Sequence, residues 1–202
     1  MSKPFLVIAG NIGAGKSTVA ERLSDELGLA FEPEPAQSNP YLDLFYASRS
    51  KWAFNSQLYF LVAGLRKHRE IASRSGGTVQ DRSLYEHYMV FARQLHEDGD
   101  ISEDDFAVLS DLYYGVQDLL PAPDLLVMLK VNPATSLLRV KGRPNSQHDL
   151  SLPYLSRLDD RYQQFLDGWI GSPVLQVDTE KIDPRTAAGL AELSELVSDQ
   201  LS

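Results

Sequence analysis

The sequence predicts an α/β fold, a parallel five-stranded sheet flanked by helices in three layers, and three features carry that prediction. Five short strand-like runs alternate along the chain with longer segments of helical period. The strongest of these runs are apolar at every position rather than every second one, the pattern of strands covered on both faces. The first run ends in a glycine cluster that opens a helix, and strand–turn–helix units of this kind build parallel sheets.

Phe5-Leu6-Val7-Ile8-Ala9, bounded by Pro4 and Gly10, reads as the first buried strand. Lys16 to Leu27 follows as a helix, and Leu29-Ala30-Phe31 as a short second strand. Lys51 to Arg74 has helical period and runs out at Gly76-Gly77, after which Thr78-Val79-Gln80 forms the third strand. Leu84 to His96 and Ser102 to Leu120 are the next helices, the latter opened by Ser102 and Asp105 in a pattern resembling a capping box. Leu125 to Leu129 is the fourth strand; helices follow at Pro133 to Val140 and Leu152 to Ile170. Val174 to Val177 is the last strand and Pro184 to Leu201 the last helix, and Pro133 and Pro184 both stand where a first-turn proline is tolerated. The polar stretch at about 141–151, with Gly142, Pro144 and Asn145, interrupts this rhythm and reads as a short lid. No repeat or linker divides the chain, so residues 1–202 are expected to form one domain.

Composition narrows the partners. The 202 residues include 19 Lys plus Arg against 28 Asp plus Glu, a formal net charge of −9, which argues against a nucleic acid partner because such binders neutralise phosphates with cations. There is no cysteine, hence no disulfide framework, thiolate zinc site or cysteine nucleophile. The apolar run at Phe5 is too short for a signal core or a membrane span, so the expected location is the cytoplasm, without a membrane partner. The four histidines lack metal-ligand spacing, and the acidic residues between Glu97 and Asp105 lack the calcium-loop pattern.

Gly10-Asn11-Ile12-Gly13-Ala14-Gly15-Lys16-Ser17 matches the phosphate-loop pattern GxxxxGK[ST] in full, between a strand and a helix. Backbone N–H groups there close around phosphate oxygens, and the helix N-terminus faces the anion. Lys16 brings a fixed positive charge to the β- and γ-phosphates of ATP, and Ser17 a hydroxyl for Mg²⁺. The fold is therefore expected to be of the P-loop NTPase type. Carboxylates at the ends of the next two strands, in Glu32-Pro33-Glu34-Pro35 and Gln80-Asp81-Arg82-Ser83, can activate an acceptor hydroxyl, and an adjacent arginine can hold such a carboxylate ionised.

Together with Asn39-Pro40-Tyr41-Leu42, Trp52 to Gln57, and Tyr59, these motifs give a chain that resembles the deoxyribonucleoside kinase family, most closely its bacterial deoxyadenosine/deoxyguanosine kinase branch. The resemblance implies an ATP-dependent phosphotransferase acting on the 5′-hydroxyl of a deoxynucleoside, a purine one in that branch, in nucleotide salvage. By resemblance, Glu34 matches the carboxylate that takes the 5′-hydroxyl proton, with Glu32 as the alternative, and Arg82 the arginine beside it. Asp81 matches an acidic residue near Mg²⁺, Tyr46 the tyrosine at the sugar 3′-hydroxyl, Gln57 the glutamine at the base edge, and Phe91 and Ile12 apolar walls around the base. Gly10 through Ser17 and Thr18 fall to the donor phosphates, Arg139 and Arg143 to ATP near the lid, and Asp178 and Glu180 to a loop at the adenine. Gly64 and His87 stand where relatives often place a base-selecting arginine and aspartate. The resemblance also implies a homodimer, for which Leu109, Leu112, Tyr113 and Val116 offer an apolar stripe. Two other readings stay open at this stage: a nucleoside monophosphate kinase resembling thymidylate kinase, and a non-catalytic ATP-binding regulatory module.

Overall fold

Successive residues of the first strand point to opposite faces of the sheet, and this alternation divides the core in two. The computed structural model describes residues 4–142 and 150–201. Its strands are β1 (Phe5–Gly10), β2 (Ala30–Glu32), β3 (Thr78–Asp81), β4 (Leu125–Lys130) and β5 (Val174–Asp178). All pair in parallel, in the order β2-β3-β1-β4-β5, so β1 lies at the centre. Leu6 and Ile8 of β1 pack with Val19, Leu23, Leu193 and Val197 on one face; Phe5, Val7 and Ala9 pack with Leu61, Leu84, Tyr88 and Leu158 on the other. Each fully buried Leu, Ile or Val contributes about 1.5–3 kcal/mol relative to exposure.

Helices α1 (Lys16–Leu27) and α9 (Ala187–Leu201) cover the first face. The second carries α2 (Leu42–Ala47), α3 (Arg49–Ser73), α4 (Leu84–Glu86), a π-helical segment (His87–Ala92), α5 (Arg93–Glu97), α6 (Glu103–Val116) and α8 (Leu152–Asp167). α7 (Pro133–Lys141) follows β4.

Three expectations need correction. The helix expected from Ser102 to Leu120 stops at Val116 and passes through a 3₁₀ turn at Gln117–Leu119, because Leu120 precedes Pro121 and is forced to extended backbone. The helix expected from Pro184 starts only at Ala187, since Asp183 first closes a turn through its carbonyl to Thr186 N and its carboxylate to Arg185 N. The expected helix Leu84 to His96 is interrupted by the π-helical segment, whose wider turn no apolar period marks. One helix went unpredicted: α2, six residues long, is too short to display a period. Most of the expected lid lies outside the described residues; Lys141 ends α7, while Leu150 and Ser151 lead into α8.

Candidate active site

The carboxyl ends of β1, β2 and β3 meet at one cleft of about 360 Å³, as expected for ligands of an open parallel sheet. Its floor is the phosphate loop. Gly10, Gly13 and Gly15 have φ of 147°, 86° and 95°, backbone that side chains rarely adopt. A Cβ on Gly13 would stand 2.6 Å from the Ser136 carbonyl oxygen of α7, so the loop closes against that helix only with glycine there. Gly15 begins α1 without any side-chain cap, leaving the first-turn N–H groups to face the cleft. Asn11 is buried and its amide donates to the Leu155 carbonyl of α8 at 2.8 Å, while Lys16 Nζ donates to the Asn11 carbonyl at 3.0 Å.

β3 delivers Asp81 and Arg82. The Ser17 hydroxyl donates to Asp81 Oδ2 at 2.5 Å, and Asp81 Oδ1 is buried without a hydrogen-bond partner among the described residues. Arg82 has φ 55°, unusual for a side chain with a Cβ, and is the one non-glycine residue among those described with positive φ. Its strain is offset by dense bonding: its N–H donates to the Ile8 carbonyl at 3.1 Å, Nη1 to Glu34 Oε1 at 2.7 Å, and Nη2 to the Gly10 carbonyl at 3.2 Å. Its guanidinium also lies over the Phe91 ring at 4.5 Å.

The two candidate carboxylates of the β2 end separate cleanly. Glu32 is buried and ion-paired with Lys67 and Arg74 of the α3 region, away from the cleft, whereas Glu34 lines it. Burial pushes the Glu34 pKa up, but facing Arg82, with His87 and Lys16 nearby, outweighs it and holds the carboxyl below its ordinary range. Burial, reinforced by Arg82 and opposed by Asp81 and Glu34, brings Lys16 down to about 8. Asp81 is shifted upward, by burial above all. His87, 3.9 Å from Glu34 Oε1 and stacked on Phe60, is lowered to about 3 by burial and is neutral at ordinary pH.

Tyr46, Gln57, Phe91 and Ile12 all line the same cleft, so these positions, widely separated in sequence, converge. Gln57 Oε1 is buried without a hydrogen-bond partner among the described residues. Arg139, Asp178 and Glu180 do not line it. They gather at the β5 edge, where Arg139 Nη1 donates to Thr179 Oγ1 at 3.2 Å and Thr135 to Glu180 Oε1 at 2.7 Å. Arg143 lies outside the described residues. Phe45, Phe60 and Tyr154 line the cleft although each reads in sequence as ordinary core, and Leu150, at the end of the expected lid, lines it too. At Gly64 a Cβ would come within 2.8 Å of Leu84 Cβ, so close packing of α3 on α4 explains the glycine there.

This geometry fits what known proteins show. Residues 6–193 match the family model described as deoxynucleoside kinase. The deoxyadenosine/deoxycytidine kinase of Bacillus subtilis (strain 168) is 32% identical over 182 residues, 89% of this chain and 84% of the relative. A deoxyadenosine kinase of Dictyostelium discoideum is 36% identical over 186 residues, 91% of this chain and 76% of the relative. The solved structure of deoxyadenosine kinase from M. mycoides with bound dATP superposes with a TM-score of 0.81 at 26% identity, covering 97% of this chain and 98% of that one. The likeness runs along nearly the whole chain, and the protein belongs to the deoxynucleoside kinase family.

Proposed function

We propose that the whole chain acts as one kinase domain that transfers the γ-phosphoryl group of ATP to the 5′-hydroxyl of a purine deoxynucleoside, in the cytoplasm and in the service of nucleotide salvage. The observation that carries this reading is the 2.7 Å contact of Arg82 with Glu34 at the mouth of the phosphate loop. Lys16 and the N–H groups of Gly13 and of Gly15 to Thr18 hold the donor phosphates, while the Gly10, Ile12 and Ala14 N–H groups are engaged within the protein and shape the loop. Glu34, kept ionised by Arg82, takes the proton of the 5′-hydroxyl as its oxygen bonds to the γ-phosphorus and the bond to the β-phosphate oxygen breaks. Because the transition state is loose, most of the acceleration comes from alignment and charge stabilisation, with proton transfer as a smaller aid. Tyr46 and Gln57 receive the sugar and the base edge, and Phe91 and Ile12 enclose the base. Arg139, Asp178 and Glu180, with Arg143, serve the ATP side.

The free Asp81 Oδ1 and the Ser17 hydroxyl beside it suit a hard divalent cation with oxygen ligands. These two residues would hold Mg²⁺, which when bound neutralises charge on the donor phosphates.

Among the described residues lining the cleft, Lys16 and Arg82 are the only lysine or arginine side chains, and Glu34 already engages Arg82. That favours an uncharged nucleoside over a nucleoside monophosphate as acceptor. An ADP-release assay with ATP against a panel of deoxynucleosides and their monophosphates tests the reading. Turnover with purine deoxynucleosides supports it; turnover confined to monophosphates, or none with ATP bound, overturns it.

The homodimer belongs to the same proposal, on a different surface from the stripe first considered. Leu109 and Tyr113 are buried within the chain, whereas Tyr114, Leu119 and Ile170 are exposed, Ile170 at 98%. Tyr114 and Ile170 rim an aromatic hollow with Tyr85, Tyr113 and Trp169. None of the helices among the described residues is long and apolar enough to cross a membrane. Sedimentation of the native protein and of Ile170→Asp tests the dimer: a dimer weakened by the substitution supports it, a native monomer contradicts it.

A further inference from the structure

Beneath the Arg82–Glu34 pair sits a carboxyl group that neither lines the cleft nor meets solvent. Glu86, in α4, is fully buried. Its Oε2 accepts from Ser83 N at 3.0 Å, half of a capping box whose other half is the Ser83 side chain. Its Oε1 turns toward the sheet, where it accepts from Gly10 N at 3.3 Å and stands 3.7 Å from Arg82 Nε. Arg82 Nε is buried with no hydrogen-bond partner among the described residues. The same Oε1 lies 2.9 Å from the hydroxyl of Tyr162, a buried residue of α8, and that hydroxyl is 2.7 Å from the Gly10 carbonyl oxygen. Both sides of Gly10, the first residue of the phosphate loop, are therefore gripped: its N–H by Glu86, its carbonyl by Tyr162 and Arg82.

Burying a carboxyl costs several kcal/mol unless its oxygens are well matched, and a helix cap at a surface needs no such burial. Resting on the function proposed above, we infer that Glu86 and Tyr162 form a positioning pair that sets the first peptide of the phosphate loop against Arg82 and so aligns the donor phosphate with the Glu34 carboxylate. Neither residue touches substrate; both act through Gly10 and Arg82. The hydrogen inventory supports a linked pair. Tyr162 has one hydroxyl hydrogen and two acceptors in reach. Both acceptors, Glu86 Oε1 and the Gly10 carbonyl, therefore compete for that one hydrogen, and the hydroxyl ties them together.

The test is a double-mutant cycle with Tyr162→Phe, Glu86→Gln and the two combined, measuring kcat per ATP-binding molecule together with equilibrium Kd for ATP and for the deoxynucleoside. Tyr162→Phe deletes a single oxygen and carries the test by itself if Glu86→Gln folds poorly. Expected is a fall in kcat of about tenfold in Tyr162→Phe, because misplacement by a fraction of an ångström is costly to an aligned transfer, with both Kd values within about threefold of native. The combined variant should lose no more than the worse single one, since the two act as a unit. A Tyr162→Phe kcat within twofold of native, single losses that multiply, or a loss carried by Kd instead of kcat overturns the inference. Native enzyme is assayed alongside: if it transfers phosphate to no deoxynucleoside, the proposed function fails, whereas native turnover with unaffected variants removes only the pair.

Discussion

Arg82 Nη1 lies 2.7 Å from Glu34 Oε1 while Nη2 of the same guanidinium donates to the Gly10 carbonyl at 3.2 Å, so one side chain joins the Glu34 carboxylate to the start of the phosphate loop. The positive φ of Arg82 directs the side chain there, and the bonds it makes hold that backbone in place.

The pair fixes the direction of the pH response. In the proposed reaction Glu34 works ionised, and its pKa is held below the ordinary range, so kcat/KM for the nucleoside should persist as pH falls past the usual glutamate value. In Arg82→Gln, burial is left opposed only by more distant charges, and the acid limb of the profile should move up by about one pH unit or more. An unmoved limb contradicts this.

Asp81→Asn keeps a partner for the Ser17 hydroxyl but removes a charge from the candidate cation site. The Mg²⁺ concentration giving half-maximal rate should rise several-fold, with KM for the nucleoside little changed. Titration of rate against Mg²⁺ reads both.

Two buried histidines make folding sensitive to acid. Burial holds His68 to about 4 and His87 to about 3, whereas an unfolded histidine binds its proton near 6.5. Between those values the unfolded chain carries more protons, so stability is lost as pH falls below about 6.5, at up to roughly 1.4 kcal/mol per pH unit for each histidine. Urea unfolding across that range should show a shallower slope in His68→Phe, which packs between Phe5 and Tyr85 as the imidazole does.

Gly13→Ala places a methyl group against the Ser136 carbonyl at a backbone angle that favours glycine. It should cost about 1–3 kcal/mol of stability and weaken ATP binding. Thermal melting with and without ATP measures both effects.

The sheet and the phosphate loop were legible in the sequence because both are written locally: Phe5 to Ala9 is a continuous apolar run, and the glycines and Lys16 stand at fixed spacing. Choosing Glu34 over Glu32 rests on resemblance; the structure adds that Glu34 lines the cleft while Lys67 of α3 and Arg74 just beyond it engage Glu32. Phe45 and Tyr154 were not recognisable as cleft residues, because an aromatic in a helix looks the same whether it faces core or ligand. Glu86 carried a readable signal, the Ser83-x-x-Glu86 capping pattern, but nothing local announces that its second oxygen meets Gly10 and Tyr162, 76 residues away on either side.

The most direct test is Glu34→Gln, measured as kcat for a purine deoxynucleoside together with the Kd for ATP. The account predicts a fall in kcat of about a hundredfold or more, the range of lost general base catalysis, with ATP affinity within a few-fold of native. Turnover equal to native in a variant that binds ATP normally would contradict it.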